Sequence, residues 1–395
     1  MTHPIRVQAV IYANPDHYPP IVNASQLLAQ SGFELSILCR DYAGIMGDDY
    51  HAHYPAQTRL TRIKSSHKAA WLQFAHFIRQ ALRQADRSMD ILLGYDMHGL
   101  LVARLLATRY RRPLVYHCHD YVPIGAARSS GAKVAKVFEQ RFARTADLVV
   151  VPDGERAPAI MRELHLQRPP LVAANSPIAR PTHSGQALRE SLARQGKPFA
   201  CIVFRQGRIG AGHGLEATLR SMPDWTDRNW GLALMGPGET DYLTGLMQLA
   251  HDLGVDRRLA LLPSVPYEQV AEFTPGAHIG HGLYDPIHFN HLYSTTASNK
   301  IMEYMAAGLP LLVSDRPGPR DLVHRYRCGV VADESSPKSV ATAINSLLEN
   351  PEAARQMGLA GADAFEREFR YDRQYLPVLA AMRALADGSS QVRRP

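Results

Sequence analysis

FRQGRIGAGHGLEA (204–217) and ASNKIMEYMAAGLPLLVSD (297–315) are the two stretches whose reading decides the fold of this 395-residue chain. The first follows a β-rich apolar run and passes into a helical pattern. Its glycines, Gly207, Gly210, Gly212 and Gly214, let a backbone come close to a ligand. A helix predicted from His213 aims its unpaired N–H groups back at that loop, which makes an anion site. Arg208 adds a permanent charge suited to phosphate. The same residues are also compatible with a tight strand–helix turn carrying a surface arginine. The glycine spacing departs from that of a dinucleotide-binding loop.

In the second stretch Ser298 and Asn299 are good N-caps, residues 305–307 continue a helix, and Gly308 closes it before Pro310 opens a buried strand. Lys300 falls in the first turn, where the helix dipole disfavours a cation. A bound diphosphate would relieve that conflict. Glu303 lies within the same turns, and an ionised carboxylate accepts hydrogen bonds from two ribose hydroxyls. The alternative is a solvated lysine and an acid near a helix start.

Working outward, short apolar runs alternate with amphipathic helical stretches, the pattern of a parallel α/β sheet. Strands are predicted at 6–12, 34–39, 90–94, 114–118 and 148–152, and again at 199–205, 231–235, 259–262, 278–283 and 310–314. The expected organisation is two doubly wound, Rossmann-like domains facing a central cleft. Residues 1–174 form the first domain and 199–371 the second. The Pro-, Ser- and Gly-rich segment 175–198 is read as a linker. A last helix, 372–387, is expected to cross back to the N-terminal domain, and the polar tail GSSQVRRP is expected to be disordered. Such sheets bind ligands beyond the carboxyl ends of their strands.

Charge is unevenly spread. Residues 1–175 carry 21 Lys+Arg against 14 Asp+Glu, and the remainder carries 23 of each sign. The whole net charge of +7 therefore sits in the N-terminal half, which suits an anionic partner. No apolar run is long enough for a transmembrane helix and the N-terminus lacks the pattern of a signal peptide. Cys39, Cys118, Cys201 and Cys328 form no CxxC pair, so reduced thiols and a cytoplasmic location are expected.

GRIGAGHGLE followed by SNKIMEYMAAGLP resembles the retaining GT-B glycosyltransferases known as group 1. YHCHDYVP (116–123), MGPGE (235–239) and LPSVPYEQVAEF (262–273) resemble further segments of that family. The resemblance implies that Arg208, Gly212, His213, Asn299 and Lys300 face a donor diphosphate and that Glu303 binds the ribose. It implies that Asn290, Tyr293 and Ser294 contact the donor sugar or phosphate, and that Gly236, Ser264 and Val265 lie near the base. His119 and Asp120 are implied near the transferred sugar as catalytic groups. The family usually has lysine at the place of His213, and many relatives have a second glutamate at the place of Thr295. A histidine is only partly charged at neutral pH, so phosphate neutralisation is expected to rest more on Arg208 and Lys300.

No D-x-D triplet occurs. The departing nucleotide diphosphate is therefore expected to be stabilised by N–H dipoles and cations without a metal, with no cofactor beyond the nucleotide-sugar co-substrate. The resemblance implies retention of configuration. In HKAAWLQFAHFIRQALRQADR (67–87), Trp71, Phe74, Ile78 and Leu82 fall at helical spacing, with Arg79, Arg83 and Arg87 on another stripe. Such a helix suits an anionic membrane surface. Lys133 and Lys136, with Arg141 and Arg144, extend the patch. A core-packed helix with a solvated charged face fits the same spacing. The expected acceptor is a glycan or lipid-linked molecule, reached by peripheral attachment to the inner face of the membrane. Two other classes remain open: an epimerase-type nucleotide-sugar enzyme on the same fold, and a basic nucleic-acid-binding protein. The latter leaves the donor-like loops unexplained, so no nucleic acid is expected.

Overall fold

The computed structural model describes residues 3–42 and 51–388 and divides into two compact units, one running to Ala174 and resuming at Tyr371, the other Asn175–Arg370. The tail expected to be disordered runs from 388 to 395; Gly388 lies in a turn, and 389–395 fall outside the described residues.

In the first unit seven strands are β1 (Ile5–Ile11), β2 (Phe33–Arg40), β3 (Thr58–Ile63), β4 (Ile91–Tyr95), β5 (Leu114–His117), β6 (Leu148–Val151) and β7 (Leu171–Val172). They pair in the order β3-β2-β1-β4-β5-β6-β7, all parallel. Parallel strands covered on both faces are mostly apolar; β4, ILLGY, is buried at every position. The order reverses between β1 and β4, so the chain leaves these neighbours in opposite directions and opens a crevice at their carboxyl ends. Edge strand β3, TRLTRI, escapes sequence reading because its charged, half-exposed residues hide the apolar run. Helix Pro19–Gln30 was also hidden: it begins on two prolines, which are tolerated where no helical N–H bond is needed. The last helix, Tyr371–Ala386, belongs to this unit. Its Tyr371 hydroxyl donates to Pro20 O at 3.2 Å.

The second unit has six parallel strands: β8 (Cys201–Gln206), β9 (Trp230–Met235), β10 (Leu259–Leu262), β11 (Ile279–Gly282), β12 (Leu311–Ser314) and β13 (Gly329–Ala332). Their order is β10-β9-β8-β11-β12-β13, with the reversal between β8 and β11. Two apolar layers cover the sheet. One gathers Ile301, Tyr304 and Met305 against Phe204 and Leu311; the other gathers Leu215, Leu219 and Ile344 against Val203 and Leu232.

The segment 175–198 is not a free linker. Asn175 N donates to Thr296 O at 2.8 Å, Arg180 Nε to Ala306 O at 3.0 Å, and residues Gln186–Arg194 form a helix that buries Leu188 and Leu192 in the second unit's core. Its Pro and Gly content marks turns between these contacts rather than an absence of structure. Before the last helix come an α-helix, Pro351–Ala364, and a π turn, Phe365–Phe369. Among the described residues the four cysteines are unbridged and no helix is long and apolar enough to cross a membrane.

The basic helices depart from the expected stripes. Helix Ala70–Gln84 buries Phe77 and Ala81, whereas Trp71 is 72% exposed. Arg79, Arg83 and Arg87 are exposed, Arg87 beyond the helix end. On helix Ser130–Ala143 Lys133 is exposed, but Lys136 is buried and is not part of a surface patch. Its ammonium pairs with buried Glu139, which also accepts from Tyr116 Oη at 2.6 Å, and it lies 4.2 Å from the Tyr121 ring centroid. A charge in that position is stable only with its partner. Replacing Lys136 with Met should therefore cost about 3 kcal/mol of unfolding free energy in urea titrations. Lys133→Met should leave the unfolding midpoint unchanged.

Candidate functional site

In the second unit the loops after β8 and β9 are joined by their backbones. Gly207 N donates to Met235 O at 2.9 Å and Ile209 N to Pro237 O at 2.8 Å. Gly236 sits at φ +143°, and a Cβ there would lie inside the van der Waals radius of Gly207 O. Only glycine permits this approach. The crevice floor is therefore backbone.

Beside it, alternate residues of β8 reach opposite faces of the sheet. Gln206 is buried; its amide oxygen accepts from Thr274 Oγ1 at 2.7 Å and its amide nitrogen donates to Glu303 Oε2 at 2.5 Å. Burial raises the Glu303 carboxyl above its ordinary range, opposed by the Gln206 bond and the Lys300 charge. The carboxylate is thus aimed before any ligand arrives. Arg205, on the other face, is fully buried. Its Nη1 donates to Leu283 O at 3.2 Å and lies 3.3 Å from His281 Nδ1, while its Nε and Nη2 have no partner among the described residues.

Helix Asn299–Ala307 starts at the crevice. Ser298, its N-cap residue, makes no capping bond; its hydroxyl lies 2.9 Å from Tyr284 Oη instead. Lys300 Nζ donates to the same Tyr284 oxygen at 2.8 Å. The Tyr284 ring has the Arg205 guanidinium 5.1 Å and the Lys300 ammonium 5.3 Å from its centroid. Burial by itself raises the phenol. The Lys300 and Arg205 charges and the bonds from Lys300 and Ser298 together outweigh it and bring it down to about 8.

His213 is buried edge-on to Tyr284 at 5.5 Å and beside His291 at 5.4 Å. Burial and the Arg205 charge hold it well below its ordinary range, so it is neutral. Gly212, at φ +84°, leaves room for Ile287 and His291 to lie over the loop. Asp285 N donates to Gly212 O at 3.0 Å. Gly212, His213, Lys300 and Glu303 are thus gathered around one crevice. Arg208 is not: its guanidinium is exposed and 3.4 Å from Glu239, an exposed pair of little energetic weight. Asn299 is half-buried at the helix start. Asn290 and Ser294 are bonded to each other, the hydroxyl donating to the carbonyl at 2.5 Å, and Tyr293 packs on Phe289 at 5.0 Å. Ser264 is exposed and Val265 packs against the core.

In the first unit His119 is buried. Its ring stacks on Tyr95 at 5.3 Å and lies 4.2 Å from His117, and neither ring nitrogen has a partner among the described residues. Burial, with Arg156 nearby, lowers it to about 3. Asp120 is exposed. The backbone N–H groups of His119 and Asp120 both donate to Asp96 Oδ1, at 2.8 and 3.1 Å. Asp96 itself has φ +52°, a strained setting for a non-glycine residue at the end of β4. Burial and the Asp120 charge push its carboxyl up to about 7.

Sequence reading missed Arg205, Gln206, Tyr284, His291 and Asp96. Arg205 alone left a signal, a cation inside the otherwise buried run of β8.

Residues 187–363 match the family profile described as Glycosyl transferases group 1, and residues 21–172 that of Glycosyltransferase Family 4. The D-inositol 3-phosphate glycosyltransferase of Nocardia farcinica is 25% identical over 303 residues, 72% of this chain and 64% of that protein. A GDP-mannose-dependent alpha-(1-6)-phosphatidylinositol monomannoside mannosyltransferase of Mycolicibacterium smegmatis is 26% identical over 170 residues, 40% of this chain and 42% of that protein. The aligned part thus spans less than two thirds of either relative. Among solved structures, Anabaena HepE in complex with UDP and glucose superposes with a TM-score of 0.73 at 14% identity, covering 96% of this chain and all of that one. Sucrose-phosphate synthase from Thermosynechococcus elongatus does so at 0.73 and 15%, covering 98% of this chain and all of that one.

The raised carboxyl of Asp96 has a stability consequence of definite sign. A group whose folded value is raised favours folding when protonated, and that contribution is lost as pH rises through its folded value. Asp96→Asn, which keeps an acceptor for both N–H groups, should gain about 2 kcal/mol on the wild type between pH 5 and pH 8. Urea unfolding of the two proteins at both pH values measures the difference.

Proposed function

We propose that this chain, which belongs to the group 1 glycosyltransferases of the GT-B fold, transfers a sugar from a nucleotide-diphosphate donor held by its second unit. The observation that carries the reading is one crevice at the end of β8. There a carboxylate fixed by Gln206 and an ammonium fixed by Tyr284 flank a floor of open backbone. Glu303 accepts the ribose hydroxyls. Lys300 and the N–H groups at the start of helix Asn299–Ala307 receive the diphosphate. His213, being neutral, contributes hydrogen bonding and shape rather than charge. Arg208, on a glycine loop, swings from its weak pairing with Glu239 to the outer phosphate. Asn290, Tyr293 and Ser294 border the donor sugar, and Gly236, Ser264 and Val265 the base. The dependence of one relative on GDP-mannose and a neighbour's bound UDP and glucose support a nucleotide-sugar donor.

Transfer proceeds, on this reading, without a metal. As the sugar–phosphate bond breaks, charge grows on the diphosphate, and fixed dipoles and cations stabilise it without reorganising. Configuration is retained, with a leaving-phosphate oxygen taking the acceptor's proton. In the first unit His119 and Asp120 orient the sugar or the acceptor; a neutral imidazole can both donate and accept there.

The acceptor is a glycan or a lipid-linked molecule, and the basic first unit rests on an anionic membrane surface. Exposed Arg79, Arg83, Arg87 and Lys133 support this, as do Val134, Val137 and Phe138, which are about half exposed on the helix carrying Lys133.

Lys300→Ala and Glu303→Ala should each lower turnover by about tenfold or more, the loss of one charge-assisted bond. Near-normal rates in both would remove the donor site. EDTA should leave activity intact; loss rescued by manganese would overturn the metal-free step. Vesicles with anionic phospholipid should bind the protein at low salt and release it as salt rises, and Arg79→Glu combined with Arg83→Glu should weaken that binding. No binding at low salt would detach the membrane from the proposal.

A further inference from the structure

Two buried or half-buried cations, Arg205 and Lys300, bracket the ring of Tyr284, and neither forms an ion pair with any described residue. The groups around that ring are known from each element packed on it. Helix Asn299–Ala307 and its cap supply Lys300, Ser298 and Tyr304, whose phenol burial pushes up and keeps protonated, and β8 supplies Arg205. The glycine loop supplies His213 and the short helix Phe289–Leu292 supplies His291, 5.3 Å away. Both are held neutral, His291 by burial that lowers it to about 4. Strand β12 supplies only the Ser314 hydroxyl, bonded to the Tyr284 backbone. The carboxylates within electrostatic range are Glu303, which acts on Lys300, and Asp285, which acts on Arg205. Neither lies at the phenol oxygen, which is shared by an ammonium and a serine hydroxyl.

We propose that Tyr284 is a positioning residue of the donor site, holding the Lys300 ammonium in place and drawing the Ser298 hydroxyl off the helix cap so that both ammonium and helix start stay open to a diphosphate. This rests on the donor-site reading above. The geometry supports each half. Lys300 Cε lies 3.6 Å from the point where a Cβ of Gly207 would stand, so the ammonium is pinned between Tyr284 and the glycine turn. Ser298 is a residue type that ordinarily bonds an N–H of the first turn, and here it does not. A consequence follows for pH. Once the phenol loses its proton, a phenolate sits against Lys300, cancels its charge and repels a diphosphate. Affinity of the free protein therefore falls as pH rises through the ionisation of Tyr284.

The test is calorimetric binding of UDP and of GDP from pH 6.5 to 9.5 by the wild type, Tyr284→Phe and Ser298→Ala, each checked by thermal melting. The wild type should bind one of them and lose affinity above about pH 8. Tyr284→Phe should bind about fivefold more weakly at pH 7, the worth of one hydrogen bond, and stay flat up to pH 9. Ser298→Ala removes a bond that lowers the phenol, so its alkaline loss should move to higher pH. If Tyr284→Phe kept both the wild-type affinity at pH 7 and the wild-type alkaline loss, Tyr284 would not be positioning Lys300. An unchanged alkaline loss in Ser298→Ala would also count against the clamp and would do so even if Tyr284→Phe failed to fold. If the wild type bound neither nucleotide at any pH, the donor-site reading would fall, and this inference with it.

Discussion

Strand β8 pairs in parallel with β9 on one side and β11 on the other, and the rest of the candidate site depends on that placement. A parallel sheet whose order reverses at one strand sends its connections to opposite faces, so nothing covers the carboxyl ends at the reversal. Into that gap come the glycine loop, the segment after β11 and the start of helix Asn299–Ala307. Gly207 and Gly236 close the floor because their backbones touch where side chains would collide.

Charge at this crevice is arranged by burial rather than by pairing. Taking a guanidinium out of water is costly unless it is bonded, and Arg205 offsets part of that cost through Nη1, which faces the carbonyls of His281 and Leu283 and the His281 imidazole. Burial, with the Arg205 charge added, keeps His213 and His281 neutral, and the Lys300 and Arg205 charges together lower the Tyr284 phenol. Glu303 is treated in the opposite sense: burial lifts its carboxyl while Gln206 restrains the rise. The result is a cation and an anion placed in one crevice with their nearest bonds made to neutral groups, ready for a ligand carrying hydroxyls and negative charge together.

The first unit repeats the topology, with its reversal between β1 and β4, but fills the corresponding end differently. Asp96, strained at the end of β4, ties down the backbone of His119 and Asp120, while four rings, Tyr95, His117, His119 and Tyr375, pack with polar atoms that have no partner among the described residues. Its outward faces carry the excess of arginine and lysine. Lys136 shows that a count of charge is not a map of surface: one cation of the expected patch is spent inside, neutralising Glu139.

The amino-acid sequence by itself determined the alternation of strands and helices, the two-sheet architecture, and the identity of the glycine loop and of the helix bearing Lys300 and Glu303. Those features are local: a buried parallel strand favours a near-continuous apolar run, a helix cap favours Ser or Asn, and a turn of positive φ favours glycine. Edge strand β3 and the structured segment after Ala174 were obscured because charged and proline-rich residues carry weak local signals. Only the tertiary structure decided which side chains meet. Gln206 reaches Glu303 across 97 residues of sequence and Lys300 reaches Tyr284 across 16. Arg208 turns outward and Lys136 inward, and Asp96 takes a strained backbone. These outcomes depend on strand order and on which face of a sheet or helix is covered, and burial set by distant segments leaves no periodicity in the chain itself.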